Sequence, residues 1–561
     1  MYLGLQDKDN GNLKEEVRYA LEGGQAYWLR SKTGVQFDNA GTCLKWVYNN
    51  DPNDYTEQRK DCCHVTWERG RDGIESTYTY DSQGRKTSTT TRGITTSTEY
   101  KGLTTTEWKQ TVGNNQRYLV RENSKNLAGQ MVEQKSPVVG GKTLATQYEE
   151  NIAARTKATR TPYGTASTRI FSADSQLLSE TGTTGLTQNY TYTPTAQHGG
   201  GLAVTVTDGN RSKTATTDLL NHTVAEQSGG SALTQYGYDA AGRITQTVLP
   251  DGESLLNIYE NKIRISGLDF NGDGVLTAAI DRMEKSESVF DPSWPEDKGS
   301  WKTVTSRAWL GSWKPVSISW MTEDGTLARH QTPGFTGYAI HENPPVNAQG
   351  NTHTVSETSP DGQVQETVYT MADGHVTAMT NTWKNERGQV VSTEGKTFDS
   401  WGNMLTQTDG RTGMTSYSYD EGTAFLLSQT MPNQSVVSYQ YDDYGRLITT
   451  VLPDGTEQHQ NHDTEGRIIR QWGSQQYPVS YEYDAYGQKT GMTTYRVPVG
   501  DAVAWPEGAE GDKTTWSYDN ATGNLLQKTY ADGRGMSYTY TPGGKTQDRD
   551  QRTRERHNVF P

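Results

Sequence analysis

The sequence predicts an all-β protein, an extended antiparallel sheet assembled from repeated β-hairpins. Three observations carry this reading. Leu, Ile, Val and Phe supply only about 15% of the 561 residues, below the roughly 20% expected of packed globular cores. The chain is nonetheless rich in aromatics, with Tyr 32 and Trp 14, which disordered chains are not. Finally, a Tyr-x-Tyr-Asp-x-x-Gly pattern recurs, and Pro-Asp-Gly turns fall between its copies.

The pattern appears as Tyr78-Thr-Tyr80-Asp81-Ser-Gln-Gly84-Arg85 and as Tyr236-Gly-Tyr238-Asp239-Ala-Ala-Gly242-Arg243. It returns at Tyr439 to Arg446 and at Tyr481 to Gly487, with weaker copies at Phe398, His462 and Trp516. The aspartates at 399, 420, 442, 463 and 484 are separated by 21, 22, 21 and 21 residues. Phe37-Asp38-Asn-Ala-Gly41 places a further copy two periods before Asp81. Within one unit, alternation sends both Tyr rings to the same face of a strand. Asp-x-x-Gly is a turn: the carboxylate accepts local backbone N–H groups and Gly tolerates positive φ. Arg446-Leu-Ile-Thr-Thr-Val451 reads as the return strand, and Pro453-Asp454-Gly455 as the second turn, repeated at Pro250 and Pro360. A unit of about 21 residues is thus two strands and two turns. A lone hairpin is marginal in water, whereas stacked hairpins cover one another's edges. The repeated Tyr residues read as cross-strand packing and the repeated Asp residues as turn formers, not as catalytic carboxylates.

These residues bear a family resemblance. The Tyr-Asp-x-x-Gly-Arg core, the period and the Pro-Asp-Gly turns resemble YD-repeat (Rhs-repeat) proteins, which include bacterial Rhs effectors, the B and C components of Tc toxins, and teneurins. The match is specific from Phe398 to Tyr540 and isolated at Tyr78–Arg85 and Tyr236–Gly252. The resemblance implies a spiralling antiparallel sheet that forms a shell or part of one. In bacterial members such shells enclose a C-terminal toxin. The closing motif and the toxin that end many bacterial cores are not seen here; the chain ends in a polar tail carrying Arg549, Arg552, Arg554 and Arg556.

Outside the repeat, Asp269-Phe-Asn271-Gly-Asp273-Gly274-Val275-Leu276 is similar to an EF-hand or dockerin calcium loop. Asp269, Asn271 and Asp273 fall at ligand positions 1, 3 and 5, Gly274 at the sharp turn, and the Val275 carbonyl at 7. The acid expected at position 12 is Ile280, and Asp281 falls one place late. The candidate metal site is therefore Asp269, Asn271, Asp273, Val275 and Asp281, with Ca2+ as a structural ion. The alternative is a plain Asn-Gly/Asp-Gly turn.

Other chemistry finds little footing. Cys62-Cys63-His64 lacks zinc spacing, and the three cysteines (Cys43, Cys62, Cys63) are too few for a disulfide framework. A bridge from Cys43 to either neighbour in an oxidising setting stands beside free thiols. No Gly-x-Ser-x-Gly, His-Glu-x-x-His or phosphate-binding loop is present, so the chain does not read as an enzyme. Trp294, Trp301, Trp309, Trp313 and Trp320 read as a local core, with sugar stacking as the alternative. A pI near 5.3 argues against a general nucleic-acid binder. No stretch is apolar enough to span a membrane, and the first residues do not form a signal peptide.

The expected organisation is an N-terminal strand-rich region (1–75), degenerate repeats (76–250), an insertion with the calcium-like loop and the Trp cluster (251–350), regular repeats (351–548) and a flexible tail (549–561). The expected function is structural: a YD-repeat shell segment of a secreted or toxin-delivery protein, enclosing or presenting a C-terminal effector not present in this chain. Its partners would be that toxin or other Tc/Rhs components. The alternative is a cell-surface adhesion or carbohydrate-binding module. Secretion or surface display follows from the resemblance alone.

Overall fold

A computed structural model describes residues 2–6, 13–22, 25–35, 43–48, 51–61, 63–70, 73–111, 116–196, 200–229, 232–260, 263–296, 299–308, 311–344, 346–347, 350–372, 375–474, 476–496 and 504–552, with side chains for 45–47 and, within those ranges, from 55 to 547 except 232. The Phe37–Gly41 copy of the pattern lies outside the described residues.

The fold is all-β. The only helical element among the described residues is the 3-10 turn Val139–Gly141. Each described pairing joins a strand antiparallel to the next one in the sequence, so the sheet is a continuous meander of hairpins. The two turn signatures alternate as expected. After strand Ala232–Tyr238, Gly242 N–H donates to Asp239 O at 3.0 Å and closes the turn. After strand Ile244–Val248, Gly252 N–H donates to Leu249 O at 2.9 Å and closes the Pro-Asp-Gly turn.

The meander continues without a break in kind through 251–350. Strand Ser254–Glu260 pairs with Ile263–Asp269, and Ser300–Ala308 with Lys314–Met321. It also runs past residue 548: strand Thr546–Arg552 pairs with Gly535–Tyr540, placing Arg549 opposite Tyr538 and Arg552 opposite Gly535. The first four residues of the expected tail are therefore sheet. Residues 553–561 lie outside the described residues.

True core is sparse. Among the described residues, the buried apolar side chains include Val224, Leu256, Leu276, Met283, Phe290 and Trp320, a short set for so long a chain. Much of the sheet is instead half-buried on both faces, in keeping with the low aliphatic content.

The chain divides into two compact units: residues 1–122, 284–307 and 313–435, and residues 123–283, 308–312 and 436–561. In the second unit, turns of the earlier stretch meet turns of the later one. The Tyr486 hydroxyl donates to Asp208 O at 2.9 Å and accepts from Asn210 N–H at 3.2 Å. Lys545 Nζ bridges Asp251 and Glu253, each at 2.9 Å, and Lys142 pairs with Asp443. Tyr163 lies against Tyr444 with ring centroids 5.4 Å apart. In the first unit, the Tyr118 hydroxyl donates to Glu421 at 2.6 Å, and the Tyr118 ring meets Trp401 edge-on.

Candidate functional site

The repeated hairpin is the chief construction of this chain, and its side chains are committed to one another. Asp239 Oδ1 accepts the backbone N–H groups of Ala241 at 2.9 Å and Arg243 at 3.0 Å, while Oδ2 accepts Arg243 Nε at 2.8 Å. The same three bonds recur at Asp81, Asp442 and Asp463. Asp399 makes them with Asn403 in place of Arg. Hydrogen bonds to the ionised form favour it. The Arg243 guanidinium thus holds the Asp239 carboxyl below its ordinary 3.8, and the Arg85 backbone N–H does the same for Asp81. Gly242 sits at φ 76°, where a side chain would be strained.

Just before each Tyr-Asp pair the strand register shifts by one residue, between Gly237 and Tyr238, Thr79 and Tyr80, Gln440 and Tyr441, and Glu482 and Tyr483. Such a bulge re-aims the side chain that follows it. The second tyrosine then reaches back to the start of the preceding strand. Tyr238 donates to Thr223 O at 2.7 Å, Tyr483 to Ile468 O at 2.9 Å, and Tyr540 to Leu525 O at 2.9 Å, each 15 residues upstream. Burial pushes the phenols of Tyr238 and Tyr483 above 10.

The motif arginine links one unit to the next. Arg243 lies 4.3 Å from the Tyr259 ring, and the Tyr259 hydroxyl donates to Ile244 O at 3.1 Å. Arg85 and Tyr100, and Arg467 and Tyr483, repeat this arrangement at 4.2 and 4.8 Å. Where the tyrosine becomes His462, the carbonyl it would bond, Leu447 O, accepts Gln460 Nε2 at 2.7 Å instead. Burial and then the charge of Arg446 keep the His462 imidazole below 6.5. The repeat thus spends its carboxylates, phenols and guanidinium groups on structure.

In the Asp269–Asp281 loop, the structure separates the five expected ligands into two sets. Asp269 and Asp281 are buried at its base, 6% and 0% exposed. Asp269 accepts Gly272 N–H at 2.7 Å and Gly274 N–H at 2.9 Å. Asp281 accepts Phe270 N–H at 2.9 Å and Thr277 N–H at 2.7 Å. At the exposed tip, Asn271 Nδ2 donates to Asp273 Oδ2 at 2.8 Å, and Val275 N–H donates to Asp273 Oδ1 at 2.8 Å. No Lys or Arg pairs with Asp269 or Asp281 among the described residues, and no group of three or more His, Cys, Asp or Glu residues converges as a metal site among them.

The tryptophan cluster is partly a core. Trp320 is 4% exposed and donates Nε1–H to Asp291 at 2.8 Å. The Arg329 guanidinium lies between Trp294, Trp320 and Tyr338, at 4.4, 4.2 and 4.6 Å. Trp301 remains on the surface, and Trp309 lies outside the described residues. The Cys63 side chain is exposed; Cys62 and the Cys43 side chain lie outside the described residues.

The comparisons with known proteins agree with this construction. The RHS Repeat family model matches residues 218–254 and 426–457, stretches that contain Tyr236–Arg243 and Tyr439–Arg446. These stretches are Rhs repeats, and the chain resembles YD-repeat (Rhs-repeat) proteins. Its fold is similar to the crystal structure of TcdB2-TccC3 without its hypervariable C-terminal region, with a TM-score of 0.51 at 10% identity, over 98% of this chain and 36% of that one. The full TcdB2-TccC3 crystal structure matches at a TM-score of 0.48 and 11% identity, over 96% and 34%. The Photorhabdus luminescens Tc holotoxin pore matches at 0.43 and 13%, over 98% and 35%. The chain spans about a third of the length of these structures. No curated protein sequence matches it.

Proposed function

We propose that this chain is a structural segment of a repeat shell in a secreted or surface-displayed toxin-delivery protein, and that the shell encloses or presents a C-terminal effector. The observation that carries this reading is the Asp–Arg–Tyr ladder, which recurs from Asp81 to Tyr483 and uses the polar groups of the repeat to build sheet. Those groups are thereby withdrawn from catalysis, and the function is architectural. The fold likeness to TcdB2-TccC3 supports the toxin context, with further Tc- or Rhs-type components as partners. The test is protease protection of the longest natural form. A C-terminal effector should resist a protease that cleaves it when expressed alone; equal cleavage in both settings would remove the enclosing role.

The Asp269–Asp281 loop takes one calcium ion with a structural role. Two carboxylates buried in one loop without a paired cation support this, since buried charges are ordinarily paired or bound to metal. Asp269, Asn271 and Asp273 would supply side-chain oxygens and Val275 its carbonyl, with Asp281 bracing the base. Isothermal calorimetry with millimolar calcium tests the site, and absence of binding heat would leave only a turn.

A further inference from the structure

At one joint the ladder carries a histidine in place of its tyrosine. In the regular arrangement the motif arginine lies over a tyrosine of the next unit, as Arg243 over Tyr259 at 4.3 Å and Arg467 over Tyr483 at 4.8 Å. The same interval counted from Arg446 leads to His462. The ring is half-buried, and its Nδ1 is buried without a hydrogen-bond partner among the described residues. The phenol of the other units is neutral at every physiological pH, whereas a histidine changes charge between pH 5 and 8.

The charged groups that face His462 belong to two turns, and all are committed. On the preceding turn, Arg446 Nε donates to Asp442 Oδ2 at 2.7 Å and Arg446 Nη1 to Asp463 O at 2.7 Å, so the guanidinium is anchored at both ends. Asp442 also accepts the N–H groups of Tyr444 at 2.9 Å and Arg446 at 2.8 Å. On the histidine's own turn, Asp463 accepts Arg467 Nε at 2.6 Å and the N–H groups of Glu465 and Arg467, both at 2.9 Å. Arg467 also pairs with Glu465 at 3.2 Å. From the earlier strip of the same unit, Lys142 pairs with Asp443 and Tyr163 lies against Tyr444. On the histidine's own strand, His459 has Thr449 Oγ1 3.2 Å from Nδ1 and Glu457 3.2 Å from Nε2. Both carboxylates beside His462 thus already accept three hydrogen bonds each. A neutral imidazole fits this place, and an imidazolium next to a fixed guanidinium does not.

We propose that the joint between Arg446 and His462 is an acid-opened seam in the sheet: proton uptake by His462 sets a second cation beside Arg446 and parts the two units there. Burial, and then the charge of Arg446, holds the imidazole below 6.5 in the folded chain. The opened joint therefore takes up the proton more readily than the closed one. The stability of the joint is complete above 6.5 and is lost as pH falls through the lower folded value. The loss is local, because each unit of a repeat array contacts chiefly its neighbours. The two turns concerned are also where the later strip meets the turn at 161–164, with Tyr444 against Tyr163 and Thr464 beside Gly164, so the seam opens at a contact between strips.

The experiment is native-state amide exchange on the whole chain at pH 7.5, 6 and 5, with each rate divided by its intrinsic value at that pH. Protection over 457–473 should fall by about threefold or more from pH 7.5 to pH 5 relative to 254–269, where Arg243 and Tyr259 close the same joint. His462→Phe keeps a ring but takes up no proton, and His462→Tyr restores the side chain of the other units; both should remove the difference. His459→Gln should leave it in place. Circular dichroism checks the fold of each variant, and the comparison of the two hairpins in the parent decides without them. Equal change in both hairpins of the parent overturns the proposal. A pH response that survives in His462→Phe, or that vanishes in His459→Gln, overturns it equally.

Discussion

Tyr238→Phe removes one hydroxyl and keeps the ring. That hydroxyl donates to Thr223 O at 2.7 Å and ties the end of one strand to the start of the preceding one. Loss of such a bond, with its carbonyl left half-buried, costs about 1 kcal/mol. Tyr236 is the internal control, because among the described residues its hydroxyl meets Glu226 alone, at 3.4 Å, a weak contact whose loss should cost less than about 0.5 kcal/mol. In a repeat array each unit contacts chiefly its neighbours, so the effect should be local. Native-state amide exchange over 223–248 should accelerate about fivefold in Tyr238→Phe. Tyr483→Phe and Tyr540→Phe, which lose equivalent bonds to Ile468 O and Leu525 O at 2.9 Å, should repeat the result in their own hairpins. Equal effects from Tyr236→Phe and Tyr238→Phe, or no effect from either, would refute the role given to the second tyrosine.

Acid should loosen the turns. Asp81 and Asp239 titrate below 3.8 in the folded chain, so their contribution is complete above that value and is lost as pH falls through the lower folded pKa. Melting temperature followed from pH 6 to pH 2 should decline below about 3.8, and a decline complete by pH 5 would contradict this. Calcium at about 100 times its dissociation constant should stabilise the folded chain by about 2.7 kcal/mol; chelator or Asp273→Ala should cancel the shift, and a midpoint unmoved by calcium would count against the site. Deleting a whole unit, residues 442–462, keeps strand direction and turn order, whereas deleting about ten residues reverses both. Soluble yield should survive the first deletion better than the second, and comparable loss in both would contradict the repeat reading.

Much of this was legible in the sequence because the repeat is local. Tyr-x-Tyr, Asp-x-x-Gly and Pro-Asp-Gly each act within a few residues, so spacing alone placed the hairpins, the turn role of Asp239 and the positive φ of Gly242. What escaped lies across units. The bulge before Tyr238 leaves no mark in residue spacing, so the reach of its hydroxyl to Thr223 was not visible. The arginine of Tyr-Asp-x-x-Gly-Arg recurs plainly, and its regular offset from the next unit's tyrosine was the available signal: Arg243 precedes Tyr259, and Arg467 precedes Tyr483, by the same interval. Contacts such as Tyr486 with Asp208 join residues 278 apart, and only the path of the folded sheet brings them together. In the calcium-like loop, residue types fixed the order of the oxygens but not their directions, which the structure divides between a buried base and an exposed tip.

The central claim is architectural, and small-angle scattering on the longest natural form tests it most directly. A shell predicts a particle whose envelope exceeds the volume of its own protein, with a distance distribution skewed to long separations as a hollow body requires. A solid globule of ordinary protein density, or an extended rod, would contradict it.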